Sequence, residues 1–166
     1  MKNAVLMIPR FFVKHRNVIV EIICYLFILL FVYAAATKLA DFQNFRIQLA
    51  KSPMLTEIAG FTSVIVPSLE LIIALFLTIP RFRIVAMYAS FCLMVMFTAY
   101  IYIIITYSPH IPCSCGGILE NMGWSEHFYF NIAFVLLALL GILLLSGKGS
   151  SYNTEKAIHK FSLSHK

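Results

Sequence analysis

Charge is what this chain has least of. Lys and Arg total 13 and Asp and Glu 7, so 12% of its 166 residues are charged against 61% that are hydrophobic. A water-soluble domain carries roughly twice that charged share, so the composition excludes one. Between positions 108 and 127 there is no Lys or Arg at all. The net charge of +6 would suit nucleic acid if it formed one patch, but it is divided among separate segments, so no nucleic-acid partner is expected. Cysteine is scarce too. There are four, and no two of them stand in a Cys-x-x-Cys spacing.

What fills the chain instead is four apolar runs, over residues 18–37, 59–79, 84–107 and 128–145. Each is near the roughly 20 residues that cross the hydrocarbon core of a bilayer, and unpaired backbone groups are prohibitive in lipid, so each is expected to be a helix. The expected fold class is an all-α, polytopic membrane protein, a four-transmembrane-helix bundle in the lipid bilayer. Residues 1–17 read as a retained lead without a small-residue cleavage pattern, 18–146 as the transmembrane domain, and 147–166 as a loosely ordered polar tail.

The basic residues orient the bundle. Lys2, Arg10, Lys14 and Arg16 precede the first span, Arg81 and Arg83 join the second to the third, and Lys148, Lys156, Lys160 and Lys166 follow the fourth. In a four-span topology these segments share one side, and the positive-inside rule makes that side cytoplasmic despite Arg46 and Lys51 in the first outward loop. The expectation is a bacterial inner-membrane protein with both termini cytoplasmic and the loop after residue 107 in the periplasm, a compartment that permits disulfides.

That loop holds Pro112-Cys113-Ser114-Cys115-Gly116-Gly117. Two thiols one residue apart can close a strained disulfide, hold a soft metal, or exchange disulfides with a partner. So short a loop removes little unfolded-chain entropy and lies outside relaxed disulfide geometry, so the bond would be easily reduced. Cys113 and Cys115 are therefore the candidate catalytic pair. His110 and His127 flank them and could favour a thiolate or add a metal ligand; an alternative metal set is Cys113, Cys115 and His110. Cys24 and Cys92 sit toward the other membrane face, roughly 20 Å from the loop along a straight third span, too far to be a static second pair.

Other residues stand out against the apolar background. Glu70 lies about 15 Å into the second span, after Pro67, where a carboxylate costs several kcal/mol unless protonated or paired. One reading has it lock helix packing around the carbonyl that Pro67 frees; the other gives it a role in chemistry. Lys38 closes the first span, where its stem can snorkel to water or its ammonium reach down to Glu70. Tyr100 and Tyr102 lie about 200° apart on a helix, so at most one points inward with Glu70. Phe42, Phe45 and Leu49 share a helical face, predicting an outward interfacial helix between spans one and two that Pro53 stops and that can roof a site beneath it. A short helix is expected over 118–124, with Trp124 at the interface and Ser125 capping the fourth span.

These features combine into a recognisable pattern. A lysine closing span one, Phe45-Arg-x-Gln-Leu-x-x-Ser-Pro53, Pro67-x-x-Glu70, Pro-Cys-Ser-Cys-Gly-Gly, Gly123-Trp-x-Glu-His127 and Phe130-Asn131 together resemble the MauE branch of the DoxX-like membrane proteins, in a form met in Bacteroidetes. The resemblance implies a four-helix inner-membrane protein connected with methylamine utilisation and with periplasmic disulfide chemistry beside a thioredoxin-like partner. A looser likeness is to DsbB and the vitamin K epoxide reductases, which pass electrons to a quinone; it leaves the cofactor open, with a quinone as one candidate, and does not extend to direct quinone turnover by this chain. Those proteins use a Cys-x-x-Cys pair and a second outward pair that this chain lacks, so relay cysteines would belong to the partner. Two other functions compete. The thiols could bind or deliver copper, although Met122 is the one methionine near them; or the chain could be a small structural subunit of a larger membrane complex.

Overall fold

The computed structural model describes residues 15–51, 56–107 and 123–164. They form five helices and, among the described residues, no strand: α1 Arg16–Ala40, α2 Phe42–Lys51, α3 Ala59–Thr78, α4 Arg83–Tyr107 and α5 Trp124–Ser164. Four carry segments long and apolar enough to span a membrane, Arg16–Ala40, Ala59–Thr78, Arg83–Tyr107 and Ser125–Ser146. The chain is a multi-pass helical membrane protein, and the four expected runs match these spans to within a few residues.

The surface of the bundle explains its hydropathy. On α1, Val20, Ile23, Cys24, Phe27, Phe31 and Ala35 form one buried stripe at spacings of mostly three and four, while Ile22, Tyr25, Leu29 and Val32 on the other faces are exposed. A helix in water would carry charge on those faces; here lipid takes the place of water. α1 packs chiefly on α3 and α4 on α5, α3 meets α4 and α1 meets α5, so the spans follow one another around the bundle. The tight turn between α3 and α4 is held by the Phe82 N–H donating to the Ile79 carbonyl at 3.0 Å.

Phe27 anchors the centre, edge-on to Phe134 at 5.3 Å and beside Phe31 at 5.7 Å. Further along α5, a Cβ at Gly141 would lie 3.1 Å from the Met87 thioether and 3.4 Å from Ile23, so side chains of α4 and α1 fill the space beside this glycine. At the same end, Arg83 meets Glu21 at 3.7 Å and ties α4 to α1.

Two expectations about α5 are corrected. Its first residue is Trp124, not the end of a preceding short helix, and Ser125 is not its cap. The Glu126 carboxylate instead turns back to accept the Gly123 N–H at 3.1 Å, placing an acidic group in the first turn, where the helix dipole favours it. Beyond the membrane span, α5 continues as helical backbone to Ser164, giving 41 residues and a length of about 60 Å. No proline interrupts that stretch. Residues 118–122 lie outside the described residues.

Candidate functional site

The site begins with Pro67. It removes one backbone N–H from α3, yet the helix runs unbroken from Ala59 to Thr78, because a transmembrane helix packed on its neighbours tolerates the missing bond. Three residues on, almost one turn, Glu70 emerges on the same inward face and is 0% exposed. Across the gap, Lys38 in the last turn of α1 directs its ammonium back into the bundle, and its Nζ lies 2.6 Å from Glu70 Oε1. The side chain of Lys38 is 15% exposed, so snorkelling to water is not its main business here. An ion pair in lipid outweighs hydration of the ammonium because Glu70 has nowhere else to find a counter-charge.

The reading in which Glu70 caps a carbonyl freed by Pro67 loses its support. One carboxylate oxygen is bound by Lys38, and the other, Oε2, is buried without a hydrogen-bond partner among the described residues. The nearby hydroxyls serve the backbone of α3 themselves: Ser63 donates to the Gly60 carbonyl and Ser68 to that of Val64, both at 2.8 Å.

Around this pair lies a cavity of about 320 Å³ to which all five helices contribute. Phe31 and Ala34 come from α1, Val66 from α3, Met94, Phe97 and Tyr100 from α4, and His127, Phe130 and Asn131 from α5. α2 supplies Phe45 and Leu49, both buried, so this amphipathic helix does roof a site. The Lys38 ammonium sits 6.0 Å from the Phe45 ring centre and 5.6 Å from that of Phe97, within range of cation–π attraction to both. Asn131 is buried and donates to the His127 carbonyl at 2.8 Å, which keeps its amide at the wall.

The structure separates the two tyrosines as the helical angle requires. Tyr100 lines the cavity, whereas Tyr102 is 54% exposed and leans on Phe128 at 6.1 Å. Glu70, Lys38, Tyr100 and His127 thus meet around one space. Cys113, Cys115 and His110 lie outside the described residues. Cys24 is buried and Cys92 exposed, both as free thiols. Among the described residues no three His, Cys, Asp or Glu side chains converge as a metal site would need. Sequence reasoning passed over Phe97, Met94 and Phe130 as cavity walls, since apolar residues in an apolar span carry no distinguishing signal.

The family described as methylamine utilisation protein MauE matches residues 16–144, from the first residue of α1 to within two residues of the end of the α5 membrane span. The chain belongs to the MauE family. No curated protein and no solved structure matches it. The matched stretch takes in Lys38, Glu70, Tyr100 and His127, so the whole cavity falls inside the part of the chain that makes it a MauE protein.

Proposed function

We propose that this MauE-family membrane protein supports thiol–disulfide redox chemistry, with Cys113 and Cys115 as the exchanging pair and a thioredoxin-like protein of the periplasm as partner. The observation that supports this reading is where the thiol segment is tethered. It leaves α4 after Tyr107 and returns at Gly123, and the cavity residues Tyr100 and His127 stand about two turns and one turn from those points. The stretch of chain that carries the thiol pair is thereby joined, at both of its ends, to the end of the bundle nearer the buried ion pair. The charge distribution supports an inner membrane with both termini cytoplasmic and this end periplasmic, the side on which disulfides persist. Glu70, Lys38, Tyr100, His127 and His110 are supporting groups in this reading. The thiol step is an exchange: a thiolate of one pair attacks the disulfide of the other, and the partner leaves with the opposite redox state.

Alkylation with a mass tag before and after reduction, in membranes from growing cells, tests it. Two tags that appear only after reductant are the expected result, from Cys113 and Cys115 with Cys24 and Cys92 replaced by Ala. Thiols that stay reduced in every condition while copper copurifies would overturn the redox reading in favour of metal binding. Orientation is read separately with a membrane-impermeant maleimide on whole cells after reduction. Labelling that needs lysis would put the thiols in a reducing compartment and remove the basis for exchange.

A further inference from the structure

We propose that the cavity beneath α2 binds the ring of a lipid-soluble quinone and its quinol, with Lys38 and Glu70 as the polar contacts. This rests on the thiol–disulfide reading for its electrons: two thiols becoming one disulfide release two electrons and two protons, and a quinone takes up both as its quinol.

Size and lining bear on the occupant first. About 320 Å³ is at the lower end of small-molecule pockets and would hold roughly ten waters, yet the wall is mainly Phe, Leu, Met, Val and Ile side chains with a handful of polar groups. Ten waters would lack partners there, so an apolar guest is favoured. Phe31, Phe45, Phe97, Tyr100 and Phe130 offer faces and edges to a flat ring. Met96 lines the cavity and is also 57% exposed on the outer face of α4, so the cavity reaches the lipid, and an isoprenoid tail too long for it has a way out.

Charge bears on it next. Whichever of Lys38 and Glu70 holds the shared proton, the pair sums to zero. A fatty-acid carboxylate drawn to Lys38 would meet Glu70 2.6 Å behind it, and a cation drawn to Glu70 would meet Lys38. A neutral guest with its own hydrogen-bonding groups escapes both. Lys38 carries three N–H donors, and Glu70 Oε1 is its one hydrogen-bond acceptor among the described residues. A quinone carbonyl can accept another. Glu70 Oε2, buried and unpartnered, calls for a donor, and a quinol hydroxyl is one. Donor and acceptor side by side therefore serve both redox forms, and the orphan acceptor favours the quinol.

The test is calorimetric titration of the full-length protein in lipid nanodiscs with a short-tailed benzoquinone and, under argon, its quinol. Saturable one-site binding is expected, with the quinol tighter. Lys38→Met should weaken the quinone by about tenfold or more. Glu70→Gln, which puts an amide donor beside the ring, should reverse the order of the two forms. Met96→Trp, which narrows the lipid opening away from the ion pair, should weaken both, and this holds even if the ion-pair variants fail to assemble. Absence of saturable binding, or displacement of the quinone by oleate at equal concentration, would overturn the proposal. Binding needs no thiol turnover, so the two readings fail separately. A protein that binds quinone while its thiols never cycle keeps this site and loses the thiol function, and one whose thiols cycle without quinone binding loses this site alone.

Discussion

Replacing Lys38 with Met should cost far more stability than replacing Glu70 with Leu, although each breaks the same ion pair. At 2.6 Å two unit charges attract by about 6 kcal/mol in an effective dielectric of about 20, which bounds what the contact can supply. Desolvation of both groups offsets much of that, so the net worth of the pair is small, but removing one member leaves an uncompensated buried charge at about 3–5 kcal/mol. Glu70 is fully buried, and without Lys38 it has no hydrogen-bond partner at all among the described residues. Lys38 without Glu70 still has a long stem and partial exposure at the end of α1, so it can swing to the interface for about 1–2 kcal/mol. The double variant Lys38→Met/Glu70→Leu should come back to within about 1 kcal/mol of the parent, since hydrophobic replacement of a buried pair is often neutral or better. Equilibrium unfolding in mixed micelles by SDS titration measures all three. If the two single costs add in the double variant to within about 0.5 kcal/mol, the residues do not interact and the reasoning fails.

Gly141→Ala should change stability by less than about 1 kcal/mol because the flexible Met87 thioether can give way, whereas Gly141→Leu should cost about 1–3 kcal/mol by overpacking; the same SDS titration reads both. Glu126→Ala should lose about 0.5–1 kcal/mol and speed amide exchange at the start of α5, while Ser125→Ala, one residue earlier and exposed, should do neither. In the mass-tag assay, Tyr100→Phe should alter the redox state of the Cys113/Cys115 pair and Tyr102→Phe should leave it as in the parent; an equal effect of both would remove the cavity from the thiol chemistry.

Much of the architecture could be read from composition along the chain. The spans are visible because a run of about 20 apolar residues has one low-energy fate in a bilayer, whatever surrounds it. The amphipathic helix α2 is visible because its two faces differ in chemistry: Phe45 and Leu49 are buried, while Gln43 and Arg46 are exposed. Glu70 stands out as a group that lipid penalises. The misreadings at Trp124 and Ser125 share another cause. Caps and helix ends are decided by a few local hydrogen bonds, and Glu126 reaching back to Gly123 outcompetes the serine that composition suggests.

Sequence by itself therefore determined that the chain spans the membrane four times, that the Glu70 carboxylate must be accommodated deep inside it, and which lysine was near enough to serve. Only the tertiary structure decided that Lys38 turns inward, that Tyr100 rather than Tyr102 faces Glu70, and that His127, Asn131 and the rings of Phe97 and Phe130 complete one cavity. The physical reason is that lipid and bundle interior are equally apolar. In water, burial sorts polar from apolar and leaves a periodic trace; in a bilayer, Leu29 toward lipid and Phe31 toward the cavity are both apolar, and packing between helices alone tells them apart.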